Sequence, residues 1–292
     1  MRSPRLAMLA ALSLCAIAPP AAPARAGPMS FTNLLARPKP AADNKIAYGP
    51  AAQEFGELWL PKGGKTHPVV VLIHGGCWLS SLPGVELMAY AADDLRTRGF
   101  AVWNIEYRRL GEAGGGYPGT FLDVGMAIDD LRGLAARNRL DLRHVVLVGH
   151  SAGGQLALWA AARHRIDKKS PLYVANPLSV TGAVSLAGID DLQTYKRVGP
   201  DACGGPSTID QLVGADRRPP ASLFADTSPA ALVPIGTPQA IFSGDLDLIV
   251  PPIFGKDYAV KATAAGDAVL AMTLPGAGHF ELIDPQSGAW KT

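Results

Sequence analysis

Val145-Val146-Leu147-Val148-Gly149-His150-Ser151-Ala152-Gly153-Gly154-Gln155-Leu156 is the stretch that decides the fold. Residues 145–148 form a short apolar run typical of a buried strand, and residues 152–160 have the composition of a helix start. Between them lies a Gly-x-Ser-x-Gly turn. In a strand–turn–helix of this kind, small residues permit a tight, strained turn that exposes the serine hydroxyl at the carboxyl edge of the sheet. We therefore predict that Ser151 is a nucleophile. The alternative is a small buried serine at an ordinary helix start.

Apolar runs alternate with helical patterns on both sides of this turn. The sequence predicts further strands at 45–49, 54–60, 68–73, 100–106, 180–186, 239–242 and 268–274, and helices at 86–98, 120–136, 152–164, 252–265 and after His279. Strands that alternate with helices predict an α/β protein with a mostly parallel central sheet and helices on both faces.

Three segments depart from this alternation. Residues 189–237 are rich in Gly, Pro and Asp and show no clear strand, so we predict a small lid-like insertion of short helices that covers a cleft. We expect this insertion and the glycine-rich loop 111–119 to shape the pocket, with Tyr117 as a lining residue. Residues 27–45 are polar and proline-rich, and we expect them to wrap over the surface.

Acidic residues of the helix predicted at 120–136 raise the question of a metal site. Asp123, Asp129 and Asp130 fall mostly opposite the apolar face of this helix. Such carboxylates usually lie on the solvated face of a helix, and we predict a solvated face here rather than a metal site.

A serine nucleophile requires a base, and the base requires an orienting acid. His279 lies in the loop Pro275-Gly276-Ala277-Gly278-His279, directly after a predicted strand, and we predict that it is the base. The acid is predicted in the loop Ser243-Gly244-Asp245-Leu246-Asp247, with Asp247 preferred over Asp245. Asp190 and Asp191, which follow the strand at 180–186, are the alternative acids.

Main-chain N–H donors must also face the oxygen that becomes negative in the transition state. One should be the amide of Ala152, directly after the nucleophile. The others should come from His74-Gly75-Gly76-Cys77-Trp78, which follows the apolar run 68–73. We predict Gly76 and Cys77 as donors, with Gly75 shaping the turn, against the alternative of an ordinary turn at a strand end.

Together, these motifs in this order resemble the α/β-hydrolases, and most closely their esterase and arylformamidase-like group with an H-G-G-x-W loop. The resemblance covers about residues 45–290 and implies an α/β-hydrolase fold. It also implies an oxyanion hole formed by Gly75, Gly76, Cys77 and Ala152. The motifs are specific to fold and chemistry but not to substrate.

The first 26 residues have the layout of a secretory signal peptide. Arg2 and Arg5 precede an apolar run from Leu6 to Ala18, and Ala24-Arg25-Ala26 offers a cleavage site. We predict a signal peptide over 1–26, a single α/β-hydrolase domain over 27–292, and export to the periplasm or the medium. An uncleaved N-terminal anchor is the alternative. Loss of the three arginines of residues 1–26 lowers the formal net charge from +2 to −1, so the basic character says nothing about an acidic partner.

Export would leave Cys77 and Cys203 in an oxidising compartment. A disulfide between them would tie the donor loop to the segment near residue 203. Two buried free thiols are the alternative.

The sequence therefore predicts a serine hydrolase that cleaves carboxylic esters of small or medium substrates through Ser151, His279 and Asp247. An amide hydrolase, arylformamidase-like or peptidase-like, is the alternative on the same residues. A catalytically silent binding protein on this fold is the third possibility. The expected partner is a small-molecule ester or amide. We expect no metal, organic cofactor or nucleic acid, and no stable membrane insertion once the signal is removed.

Overall fold

The computed structural model describes residues 27–292, so the predicted signal peptide lies outside the described residues. Its strands are β1 Asn44–Ala47, β2 Phe55–Trp59, β3 His67–Ile73, β4 Ala101–Ile105, β5 Leu140–His150, β6 Gly182–Leu186, β7 Gln239–Gly244 and β8 Val269–Leu274. The α-helices are α1 Phe31–Leu35, α2 Ala89–Thr97, α3 Gly119–Asp129, α4 Leu131–Asn138, α5 Ala152–Ala161, α6 Leu192–Val198, α7 Gly205–Val213, α8 Pro229–Leu232 and α9 Pro252–Ala264. No helix in this part of the chain is long and apolar enough to cross a membrane.

The strands form one eight-stranded sheet in the order β1-β2-β4-β3-β5-β6-β7-β8. Strand β2 is antiparallel to β1 and β4, whereas β3 to β8 all run parallel. The carboxyl ends of these parallel strands therefore meet at one edge of the sheet. The predicted mostly parallel α/β sheet is confirmed.

Two hydrophobic cores lie on opposite faces of the sheet. Along β3, Val69 and Val71 face the core formed with α3, α4 and α5, while Val70 and Leu72 face the core formed with α2 and the C-terminal turns. This period of two places consecutive side chains on opposite faces. Because both faces are covered, the central strand is apolar from Pro68 to Ile73, as predicted.

The segment 189–237 contains the short helices α6, α7 and α8 and no strand, as predicted. It connects β6 to β7 and lies beside the carboxyl edge of the sheet. The glycine-rich loop 111–119 differs from its prediction. Tyr117 donates a hydrogen bond to Asp226 at 3.2 Å and lines a separate cavity with Arg218, not the cavity that Ser151 lines.

The prediction of a C-terminal helix is wrong. After His279 the chain makes only a 3-10 turn, Glu281–Ile283, followed by further turns. Pro285 has no N–H to continue a helix, and Leu282 and Ile283 are buried against the sheet. Leu270 and Met272 of the edge strand β8 are exposed.

The prediction of a solvated acidic face on the helix at 120–136 is also wrong. That segment is divided at Asp130 into α3 and α4. Asp123 is fully buried and accepts hydrogen bonds from Arg108 Nε at 2.8 Å and from the Arg108 N–H at 2.9 Å. Asp129 binds the buried Arg163 at 2.8 Å. These aspartates act as ion-pair partners, and residues 27–292 contain no group of three or more side chains arranged to hold a metal.

Candidate active site

Ser151 lies in a strained turn between β5 and α5. Its φ of 55° and ψ of −121° are unusual for a residue other than glycine. A Cβ on Gly149 would clash with the Gly153 carbonyl, and a Cβ on Gly153 would clash with the Ile73 carbonyl. Only glycine therefore permits this close approach of strand and helix, and the geometry is that of a nucleophile elbow.

Asp247 and His279 are brought together from the ends of β7 and β8. His279 Nδ1 lies 2.6 Å from Asp247 Oδ2, and both side chains are buried. The other carboxylate oxygen, Oδ1, accepts from the backbone N–H groups of Ile249 at 2.8 Å and Val250 at 2.9 Å. Because the carboxylate can only accept, Nδ1 carries the proton and Nε2 keeps a free lone pair for use as a base.

The alternative acids have other partners. Ser185 Oγ donates to Asp190 at 2.8 Å, and burial raises the pKa of Asp190 to about 7. Asp191 caps α6 by accepting from the Thr194 N–H at 3.0 Å, and it pairs with Lys261 at 3.2 Å. Asp245 accepts from the Gly276 N–H at 2.7 Å. The structure thus brings Asp247, and none of these three other aspartates, to His279.

The predicted donor loop follows β3 and lies beside Ser151. Gly76 has a φ of 94° and Cys77 a φ of 52°, and both residues line a cavity together with Ser151. A Cβ on Gly75 would lie 3.0 Å from Cβ of Ser151, so Gly75 packs directly on the elbow. Ala152 is fully buried behind Ser151. All four residues predicted to form the oxyanion hole therefore lie close to Ser151.

The side chain of His74 holds the start of this loop in place. Its Nε2 lies 2.7 Å from Glu106 Oε1, and its ring stacks on Tyr107 with centroids 4.3 Å apart. Burial opposes ionisation of Glu106, but the charge and hydrogen bond of His74, together with Arg109, lower the pKa of Glu106 to about 2. The hydroxyl of Tyr107 donates to the His74 carbonyl at 2.9 Å. These contacts give His74 a structural role at the start of the donor loop.

A disulfide joins Cys77 to Cys203, 126 positions further along the chain. It ties the donor loop to the 3-10 helix Asp201–Cys203 of the insertion. Ala202, next to this bridge, lines the cavity at Ser151. The bridge thus holds a wall of the site and the donor loop together, and the free-thiol alternative does not hold.

His150, the residue before Ser151, lies beside His279. The rings of His150 and His279 have centroids only 4.5 Å apart. His150 Nε2 donates to the His279 carbonyl at 3.0 Å. Complete burial, followed by the nearby His279 and His74, lowers the pKa of His150 well below its ordinary value, so its ring is neutral.

The cavity at Ser151 has a volume of about 150 Å³. Its walls are largely apolar. They come from the donor loop and the segment after it, from the insertion, from the loops that carry Asp247 and His279, and from the N-terminal helix: Phe31, Leu82, Pro83, Leu87, Ala202, Ile249 and Phe280. The sequence did not indicate Phe31. None of the described lining residues is Asp, Glu, Lys or Arg.

A comparison with known protein families identifies the family to which this chain belongs. The sequence profile of BD-FAE, an α/β-hydrolase-type esterase family, matches residues 57–260. The chain belongs to the BD-FAE family. The matched residues include the donor loop, the elbow and Asp247, which confirms the resemblance to α/β-hydrolase esterases.

Solved structures with the same fold include several esterases. Esterase B from Lactobacillus rhamnosis has a TM-score of 0.74 at 19% identity, covering 89% of this chain and 86% of that one. A truncated carbohydrate esterase from gut microbiota has a TM-score of 0.69 at 23% identity, covering 89% and 95% of the two chains. Esterase 2 from Thermogutta terrifontis, phosphonylated by sarin, has a TM-score of 0.70 at 20% identity, covering 88% and 92%. No curated protein matched the sequence. These similarities confirm the predicted α/β-hydrolase fold.

Proposed function

We propose that this BD-FAE family member hydrolyses carboxylic esters of small or medium substrates through Ser151, His279 and Asp247. The observation that carries the proposal is the 2.6 Å contact between Asp247 and His279 Nδ1, with Ser151 and His279 on the wall of one cavity. The strained turn at Ser151 supports its assignment as the nucleophile.

In the first half of the reaction, Ser151 Oγ attacks the ester carbonyl carbon while its proton passes to His279 Nε2. The carbonyl oxygen becomes an oxyanion, which the amides of Ala152, Gly76 and Cys77 stabilise. The carbon–oxygen bond to the alcohol then breaks, and His279 returns the proton to the departing oxygen.

In the second half, water attacks the acyl-enzyme, and His279 again accepts and then returns a proton. The products are the free acid and the restored Ser151. Asp247 holds His279 in the required tautomer and stabilises its cation during both halves. Each step uses only groups that line or adjoin the cavity.

The size and the lining of the cavity favour a substrate with a small, uncharged acyl group. At about 150 Å³ it is smaller than the range of roughly 300–1,000 Å³ typical of sites for drug-sized ligands. Its apolar walls offer no cation to pair with a carboxylate of the substrate. We therefore expect short aliphatic esters to be the best simple substrates.

The test is a paired panel assayed with the protein that begins at Gly27 and with Ser151→Ala. The panel contains p-nitrophenyl esters of rising chain length beside N-formyl and peptide anilides. Ester turnover that Ser151→Ala abolishes is the expected result. Formanilide turnover exceeding ester turnover would instead support the arylformamidase-like alternative, and a folded wild-type protein inactive on the whole panel would contradict the proposal.

We also propose that the protein is exported after cleavage following Ala26. The layout of residues 1–26 supports this, and so does the Cys77–Cys203 bridge, because such disulfides persist mainly in oxidising compartments. N-terminal sequencing of the protein recovered from cell fractions tests it. A start at Gly27 outside the cytoplasm is expected, and an intact residue 1–26 segment in the cytoplasm would contradict it.

A further inference from the structure

The N-terminal segment lies against the loop that carries His279. One carboxylate joins the two, because Glu281 accepts from the Met29 N–H at 2.6 Å through Oε1 and from the Gly278 N–H at 3.0 Å through Oε2. Gly278 directly precedes His279. The side chain of Glu281 therefore links the backbone at Met29 to the loop of the predicted base, although 252 positions separate Met29 from Glu281.

Packing fixes the segment at several further points. Pro28 lies so close to Gly278 that a Cβ there would be 2.5 Å from Cβ of Pro28. The rings of Phe31 and Phe280 meet edge to face, with centroids 6.0 Å apart. Leu34 of the same helix is completely buried. Residues 28–34 thus form part of the site. They do not merely cover the surface, as was predicted for residues 27–45.

The end of the segment is anchored as well. Arg37 pairs with the buried Asp284 at 2.8 Å, and the Arg37 carbonyl accepts from the Tyr90 hydroxyl at 2.8 Å. These contacts join α1 to α2 and to the C-terminal turns. Helix α1 is consequently a defined wall whose position depends on the same turns that hold His279.

Phe31 is the residue of α1 that lines the cavity at Ser151. It stands on the same wall as Phe280 and faces a cavity whose other walls include Leu87 and Ile249. A smaller side chain at this position would enlarge the cavity that Ser151 also lines, and would leave room there for a longer apolar group.

We propose that Phe31 is a specificity-determining residue that sets the length of the aliphatic acyl group the enzyme accepts. The proposal rests on the proposed esterase function. Glu281 contributes as a positioning residue, because its carboxylate holds the segment against the histidine loop. The substrate class is an ester with a short aliphatic acyl chain.

The experiment compares wild type, Phe31→Ala, Phe31→Trp and Leu35→Ala on p-nitrophenyl acetate, butyrate, hexanoate and octanoate. Leu35 is the matched control, since it lies on the same helix and packs against the core without lining the cavity. For each protein the readout is kcat/KM for each ester, expressed relative to the acetate value.

Phe31→Ala is expected to raise the relative kcat/KM for hexanoate and octanoate by about tenfold, since one methylene in an apolar pocket changes discrimination by about this factor or more. Phe31→Trp is expected to shift preference toward acetate, and Leu35→Ala to keep the wild-type profile. Should Phe31→Ala fail to fold, the shift in Phe31→Trp decides the matter.

Unchanged chain-length profiles in folded Phe31 variants, while wild type hydrolyses esters through Ser151, would overturn this proposal and leave the esterase function standing. An equal shift in Leu35→Ala would also overturn it, because the effect would then come from the stability of the helix. A wild-type protein inactive on every ester would overturn the function itself, and this proposal with it.

Discussion

His150 Nε2 donates a hydrogen bond to the backbone carbonyl of His279, with 3.0 Å between the two atoms. The immediate neighbour of Ser151 thereby supports the loop that carries His279, the predicted base. Nδ1 of His150 is buried, and among the residues that the structure describes it has no hydrogen-bond partner. A neutral ring satisfies this arrangement, whereas a protonated ring would place an uncompensated charge in the core.

Stability should therefore depend on pH through His150. Its pKa is lowered on folding, so between that value and 6.5 the unfolded chain binds the additional proton and the free energy of unfolding falls as pH falls. In His150→Gln, which retains an N–H donor, this fall should be shallower by up to about 1.4 kcal/mol per pH unit. Urea unfolding of both proteins at pH 7, 6 and 5 measures the difference. Parallel dependence on pH in the two proteins would show that His150 is not the responsible group.

The two candidate acids should respond very differently to the same substitution. Asp247→Asn should lower kcat by about 10⁴-fold, because the amide favours the wrong tautomer of His279. Asp190→Asn should leave kcat within about a factor of a few, since Asp190 binds Ser185 and not His279. Steady-state kinetics on one p-nitrophenyl ester compares them. A large loss in the Asp190 variant with little loss in the Asp247 variant would reverse the assignment.

The disulfide should contribute to both stability and rate. Cys203→Ser opens a link across 126 positions and should lower the free energy of unfolding by about 2–4 kcal/mol. It also releases the donor loop at Cys77, so kcat should fall by about tenfold, because small displacements of catalytic groups are costly. Denaturation and kinetics with and without dithiothreitol measure both effects. Wild type in the reductant should behave like Cys203→Ser, and the variant should not respond to it. A wild-type rate that is unaffected after complete reduction would exclude a role for the bridge in catalysis.

The sequence predicted the parts of the site that depend on local chain geometry. Ser151 lies in a turn whose glycines are required by backbone contacts, and His279 and Asp247 lie in loops directly after parallel strands. In a parallel sheet such loops share one edge, so order along the chain was sufficient to place them together. The fold was predictable from a local pattern as well, because the continuous apolar run of β3 is typical of a buried central strand.

Features that depend on contacts between distant segments were not predictable in this way. Phe31 lines the cavity from a segment held by long-range contacts such as the Met29–Glu281 hydrogen bond, which no local pattern signals. Asp123 looked like part of a solvated face because its partner, Arg108, lies on another element. The predicted C-terminal helix does not form. Pro285 lacks the N–H that a helix would need, and the preceding turn is held because Ile283 is buried against the sheet.

The most direct test of the account is the site of covalent labelling by a p-nitrophenyl alkylphosphonate. The protein that begins at Gly27 is treated with the reagent, and its intact mass and peptide map are compared with those of Ser151→Ala. The account predicts one phosphonyl adduct per chain, located on Ser151, with loss of ester turnover in proportion to labelling and no adduct in Ser151→Ala. A folded wild-type protein that takes up no adduct, or that is labelled equally in Ser151→Ala, would contradict the assignment of Ser151 as the nucleophile.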